Sequence, residues 1–122
     1  MKALLVVAHG SRREASNREV MQLTGRLEAI AKDYDQVKFA FLELAEPSIP
    51  EGLRGLVKSG IDEIIVLPYF LSAGRHVVED IPGEIQIVQQ EYPEIRIRIA
   101  AYLGENEAVP GILLSHARKT DQ

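Results

Sequence analysis

The sequence predicts one α/β domain over residues 1–122, a three-layer fold with a mainly parallel central sheet flanked by helices. Apolar runs rich in branched aliphatics alternate with amphipathic helical patterns along the chain. The polar residues best suited to chemistry follow the ends of those runs. The 122 residues, 46% of them hydrophobic, suffice for one core, and no shift in composition marks a second domain.

The run Ala3 to Ala8 reads as the first strand, apolar throughout as in a parallel sheet covered on both faces. Val20, Leu23, Leu27, Ile30 and Ala31 then recur on one face of a helix. Val37 to Leu42 reads as the second strand. Ser48-Ile49-Pro50-Glu51 has capping-box spacing with proline in the first turn, and opens a helix that buries Ile49, Leu53, Leu56 and Val57 and stops at Gly60. Ile61 to Leu67, again nearly continuous, reads as the third strand. Asp80 before Ile81-Pro82 reads as another capped helix start, with Ile81, Ile85 and Val88 inward and Tyr92-Pro93 at the end. Ile95-Arg96-Ile97-Arg98-Ile99 alternates strictly, as a strand with one solvated face does, and belongs nearer an edge. A short last helix follows Pro110; it contains His116, to which no role is assigned.

Fourteen basic and 18 acidic side chains give a formal charge of -4, which argues against a nucleic-acid or membrane-surface binder. The chain has no cysteine, so disulfides, thiolate metal sites, cysteine-ligated clusters and a cysteine nucleophile are excluded. Any metal must be held by His, Asp or Glu. The first apolar run is too short for a signal segment or a membrane span, so a cytoplasmic location is expected.

In doubly wound sheets ligands collect at the carboxyl ends of the strands. His9-Gly10-Ser11-Arg12-Arg13 follows the first strand, Glu43 to Ser48 the second, and Tyr69 to His76 the third. Taken alone, His9 and His76 could each be an ordinary strand-end or surface residue. Two histidines at adjacent strand ends suit cobalt or nickel, and leave coordination positions free for an incoming ligand. Gly10, Ser11, Arg12 and Arg13 precede a helix, where backbone N–H groups, a hydroxyl and guanidinium groups could hold an anion; the phosphate-loop pattern is absent. Glu43 and Glu46 are candidate proton acceptors or ligand contacts. Leu71-Ser72-Ala73-Gly74-Arg75 is a small, pliant loop that lets a flat ligand approach the main chain.

Read together, Ala8-His9-Gly10-Ser11-Arg12, the segment Glu43 to Pro50 with its Glu46-Pro47-Ser48-Ile49, and the segment Phe70 to Pro82 resemble the small-type CbiX sirohydrochlorin cobaltochelatases. The resemblance spans nearly the whole chain. It implies a chelatase that inserts a divalent metal, cobalt first with nickel or iron as alternatives, into sirohydrochlorin during tetrapyrrole and cobalamin biosynthesis. His9 and His76 match the family's metal-handling histidines, with His9 also the proton acceptor. Glu46 and Leu71 through His76 match the family's tetrapyrrole-contacting positions, and Glu43 ranks below Glu46. Larger relatives contain two such halves, so a symmetric homodimer is implied. The histidine-rich insertion of some small forms is lacking, so metal storage is not supported.

Metallation exchanges two pyrrole N–H protons for one divalent ion, and histidine can serve both as ligand and as base: an ordinary imidazole titrates near pH ~6.5 and binds metal only when neutral. Leu71, Tyr69 and Phe70 are candidates for apolar contact with the macrocycle, and Ser11, Arg12, Ser72 and Arg75 for its carboxylates. No cofactor beyond the substrate metal is expected. Two other readings compete. A histidine phosphatase would place arginine before the histidine, where this chain has Ala8. A metal carrier using His9 and His76 would leave the substrate loops without a role.

Overall fold

The computed structural model describes all 122 residues, Met1 to Gln122. Four strands, β1 (Lys2–Ala8), β2 (Gln36–Phe41), β3 (Glu63–Pro68) and β4 (Arg96–Ile99), form one sheet in the order β2-β1-β3-β4, and every pair is parallel. Four α-helices follow the strands: α1 (Glu14–Ile30), α2 (Ile49–Lys58), α3 (Ile81–Glu91) and α4 (Val109–Thr120). A π-helical turn, His76–Asp80, runs into α3, and a 3-10 turn, Leu103–Glu105, precedes α4.

β1 is the middle of the protein because every residue from Ala3 to Ala8 is buried. Successive side chains point to opposite faces. Leu5 and Val7 pack with Ile49, Leu53 and Leu56 of α2 and with Ile81, Ile85 and Val88 of α3. Val6 and Ala8 pack with Phe41 and with Val20 and Leu27 of α1. These two clusters make the three layers, and each fully buried aliphatic side chain contributes about 1.5–3 kcal/mol.

The expected capping box opens α2: the Glu51 N–H donates to Ser48 Oγ at 3.2 Å and the Ser48 N–H to Glu51 Oε1 at 2.9 Å. Arg54 on α2 donates two hydrogen bonds to Glu91 on α3, at 2.9 and 2.8 Å, and ties the two helices together.

Two expectations are corrected. β3 is buried only at alternate positions, Ile64, Val66 and Pro68, because its second face carries less helix than that of β1. Asp80 does not cap α3; its backbone is already helical and its side chain makes no capping hydrogen bond. The last helix is present as expected, buries none of its residues and packs chiefly on the 3-10 turn. The alternating strand, by contrast, is the sheet edge β4, with Arg96 and Arg98 exposed.

Candidate metal centre

Strand pairing continues past the named end of β1 and carries the site residues with it. The Leu42 N–H donates to the Ala8 carbonyl at 2.9 Å and the Glu43 N–H to the His9 carbonyl at 3.0 Å, which sets Glu43 beside His9. Gly10 permits that closeness: its φ of +94° lies in the left-handed region, and a Cβ there would overlap the Glu43 carbonyl. On the other side of β1, the Tyr69 N–H donates to the Val7 carbonyl at 2.8 Å. The chain then loops out to His76, the first residue of the π turn. The root of that loop is pinned where the Gly104 N–H donates to the Phe70 carbonyl at 3.0 Å, and a Cβ at Gly104 would overlap the Leu71 carbonyl.

The three strand ends thereby bring His9, Glu43 and His76 together, with one ligand atom from each lying within 4.8 Å of the others. The imidazole centroids are 4.6 Å apart and the rings are inclined at 53°. The His9, Glu43 and His76 side chains are 42%, 51% and 45% exposed, so an ion and a second ligand can both reach them.

Hydrogen-bond partners assign the tautomers. His9 Nδ1 lies 3.1 Å from the Gly10 carbonyl, which can only accept, so Nδ1 carries a proton and Nε2 is the nitrogen turned to Glu43. That Nε2 stands 2.8 Å from Glu43 Oε2. At this distance a proton on Nε2 makes a hydrogen bond to the carboxylate, and a metal ion can take the place of that proton. His76 Nδ1 stands 2.7 Å from Asp80 Oδ2 and donates to it, leaving Nε2 free. Two imidazole nitrogens and one carboxylate oxygen form a donor set for a borderline divalent ion, with coordination positions still open.

One groove reaches this cluster, and a second lies beyond it between the Ser11 loop and the segment Leu44 to Glu46. One, of about 370 Å³, is lined by Glu43, His76, Glu79, Asp80 and Glu84 among others and is strongly acidic. The other, of about 520 Å³, is lined by Ser11, Arg12, Glu14, Arg18, Leu44 and Glu46 among others, and its two arginines balance its two glutamates. Glu46 therefore lies with Arg12 rather than with the histidines, and Glu43, ranked lower in the sequence, is the glutamate beside them. Arg12 is exposed and forms no ion pair. Ser11 is less free than expected as an anion cradle: its N–H donates to Asn17 Oδ1 at 3.0 Å, its carbonyl accepts from Asn17 Nδ2 at 2.8 Å, and its Oγ accepts from the Arg13 N–H at 3.0 Å. Leu71, Ser72, Ala73, Gly74 and Arg75 are all exposed. Arg75 lies 3.7 Å from Glu79, an exposed pair that leaves its guanidinium available. Tyr69 and Leu71 are outward, whereas Phe70 packs against the core.

Sequence reasoning did not anticipate two of these contacts. Asp80 partners His76, a pairing their four-residue spacing could have suggested. Asn17 clamps the His9 loop, for which no sequence signal was available.

A parallel sheet that presents two imidazoles and a carboxylate from neighbouring strand ends defines a class of metal-handling α/β proteins. Within that class the chain belongs to the CbiX family, whose model matches residues 3–120. It is 34% identical over 113 residues to the sirohydrochlorin cobaltochelatase of Sulfurisphaera tokodaii, a match covering 93% of this chain and 88% of that one. It is 32% identical to the sirohydrochlorin ferrochelatase of Priestia megaterium, covering 99% of this chain but 45% of the relative. The crystal structure of the sirohydrochlorin chelatase SirB from Bacillus subtilis subspecies spizizenii, in complex with cobalt, superposes with a TM-score of 0.87 at 33% identity, over 97% of this chain and 50% of SirB. The chain thus spans about half the length of the longer relatives.

Proposed function

We propose that this chain is a sirohydrochlorin chelatase that exchanges the two inner pyrrole protons of sirohydrochlorin for one divalent metal ion, cobalt first. The observation that carries the reading is the His9, Glu43 and His76 cluster, within 4.8 Å and open to solvent at the sheet rim. A site meant for tight storage would surround its ion, whereas three donors on one side leave the other side for pyrrole nitrogens. The metal is a substrate here, and no further cofactor enters the reaction.

His9 Nε2, Glu43 and His76 hold the ion at the rim. As the macrocycle nitrogens take over coordination, their two protons leave, and His9 Nε2 and Glu43, released from the metal, are placed to accept them. The 2.8 Å separation of His9 and Glu43 is the distance of a shared proton, the state the pair would hold once one of the two protons has passed on to solvent. Arg12 and Arg75 supply cationic contacts for the substrate carboxylates, with Ser72 as a hydroxyl donor and Leu71 and Tyr69 as apolar contacts. The acidic groove beside His76 disfavours those carboxylates more than the second groove, where Arg12 and Arg18 balance Glu14 and Glu46, so the macrocycle is directed toward the Arg12 side.

Iron is the second reading for the metal, favoured by the similarity to the Priestia megaterium ferrochelatase. The same donors suit either ion. We place one CbiX-type unit over residues 1–122 in a cytoplasmic homodimer; no helix is long and apolar enough to cross a membrane. The pairing is supported by α4, where Ile112, Leu113 and Leu114 are 53%, 66% and 49% exposed, and by longer relatives with room for a second unit.

The deciding experiment follows the absorption of sirohydrochlorin under anaerobic conditions with cobalt, ferrous iron or nickel. The protein is expected to accelerate metallation, most with cobalt, and His9→Ala and His76→Ala to lose that acceleration. No acceleration with any metal sinks the reading in favour of a metal carrier.

A further inference from the structure

We infer that Asp80 is a positioning residue for His76, holding the imidazole so that Nε2 is the nitrogen offered to the metal. The inference rests on the metal-centre reading and extends it to a residue that has no part in ligation.

His76 starts the π turn and Asp80 ends it, with the Ile81 N–H donating back to the His76 carbonyl. Short π turns of this kind recur at functional sites. The turn brings Asp80 Oδ2 to 2.7 Å from His76 Nδ1, and the Asp80 side chain makes this contact instead of the expected capping bond. The His76 and Asp80 side chains are 45% and 39% exposed. At that exposure an ion pair adds little to folding stability, so the main consequence of the contact is orientation. An imidazole at the end of an exposed loop is free to flip and to present either nitrogen in either tautomer. A carboxylate that accepts from Nδ1–H fixes the tautomer and the ring plane, and strengthens Nε2 as a donor.

The two histidines are anchored differently. His9 is held by the carbonyl of its own neighbour Gly10, on a loop clamped by Asn17. His76 follows an exposed loop and has Asp80 as the hydrogen-bond partner that fixes its ring, beside the His9 imidazole. The loop that must admit a flat substrate can therefore stay pliant while its terminal ligand stays aimed.

The test is a cobalt titration of the full chain without tetrapyrrole, followed through the visible absorption of the bound ion, for the parent, Asp80→Asn and Asp80→Ala. Asparagine retains an acceptor oxygen and is expected to bind within a few-fold of the parent; alanine is expected to weaken binding about 10- to 100-fold. In metallation assays the KM for cobalt should rise in Asp80→Ala while that for sirohydrochlorin holds. Imidazole ¹⁵N shifts of the metal-free chain give a second readout: His76 protonated at Nδ1 in the parent, a tautomer mixture in Asp80→Ala. Parent-like cobalt affinity in Asp80→Ala overturns the inference, as does an unchanged tautomer or a KM effect confined to sirohydrochlorin. A parent that binds cobalt but does not metallate, with Asp80→Ala still weaker, sinks the chelatase reading and leaves the positioning role standing.

Discussion

Glu43 is the residue on which the proposed chemistry turns, because it converts a pair of histidines into a charged three-donor site. Glu43→Gln is expected to lower cobalt affinity at least about tenfold, by analogy with the loss of a hydrogen-bonded partner to a ligand; calorimetric titration measures it, and an unchanged affinity removes Glu43 from the site. Gly10→Ala should do harm twice, since the left-handed backbone costs about 1–2 kcal/mol in a residue with a Cβ and the Glu43 carbonyl must also move. Its thermal unfolding and cobalt binding should therefore both suffer, whereas a change confined to stability would show that the Glu43 placement survives. Metal binding needs neutral imidazoles, so lowering the pH should protonate the rings and release the ion. Metallation rates that stay flat to about pH 5 would count against histidine ligation. The histidines were legible in the sequence because each follows an apolar strand. Glu43 was harder to rank: only the extra hydrogen bonds beyond β1, seen in three dimensions, distinguish it from Glu46. Asp80 was misread because Asp-Ile-Pro is also what a helix start looks like.

At the level of elements, α2 and α3 are joined through charge as well as through the core. Arg54 holds the Glu91 carboxyl below its usual range, and the Ser48 N–H and hydroxyl do the same for Glu51. Carboxylates shifted in this direction bind fewer protons folded than unfolded, so their stabilisation is complete above the ordinary glutamate range and is lost as the pH falls through the depressed values. Thermal midpoints should therefore decline below about pH 4.3. Glu91→Gln should begin less stable and decline less steeply, and parallel curves for the two proteins would discount the pair. Ser48→Ala removes one side of the capping box and should cost about 1 kcal/mol in denaturant unfolding. Such elements were readable because caps, proline positions and apolar spacing are local. Coverage of β3 was not, since a continuous apolar run does not say how much helix will lie over its second face.

For the whole molecule the open question is what α4 packs against, because its apolar side chains meet little of their own chain. In the proposed homodimer they are buried by the second copy, and Leu113→Asp should yield monomers in sedimentation experiments. A parent chain already monomeric at micromolar concentration would refute the pairing. The sequence placed a helix after Pro110 but carried no information about its partner.

The order β2-β1-β3-β4 also has a thermodynamic consequence. Residues 9, 43 and 76 are far apart in the chain and meet only because β1 is flanked by β2 and β3, so an unfolded chain has no comparable site. Cobalt would then act as a ligand of the native state alone, and by mass action free metal at 100 times its Kd should raise the unfolding free energy by about 2.7 kcal/mol. The melting temperature thus becomes a gauge of metal supply, and a chain starved of its ion would be the one most exposed to unfolding and proteolysis.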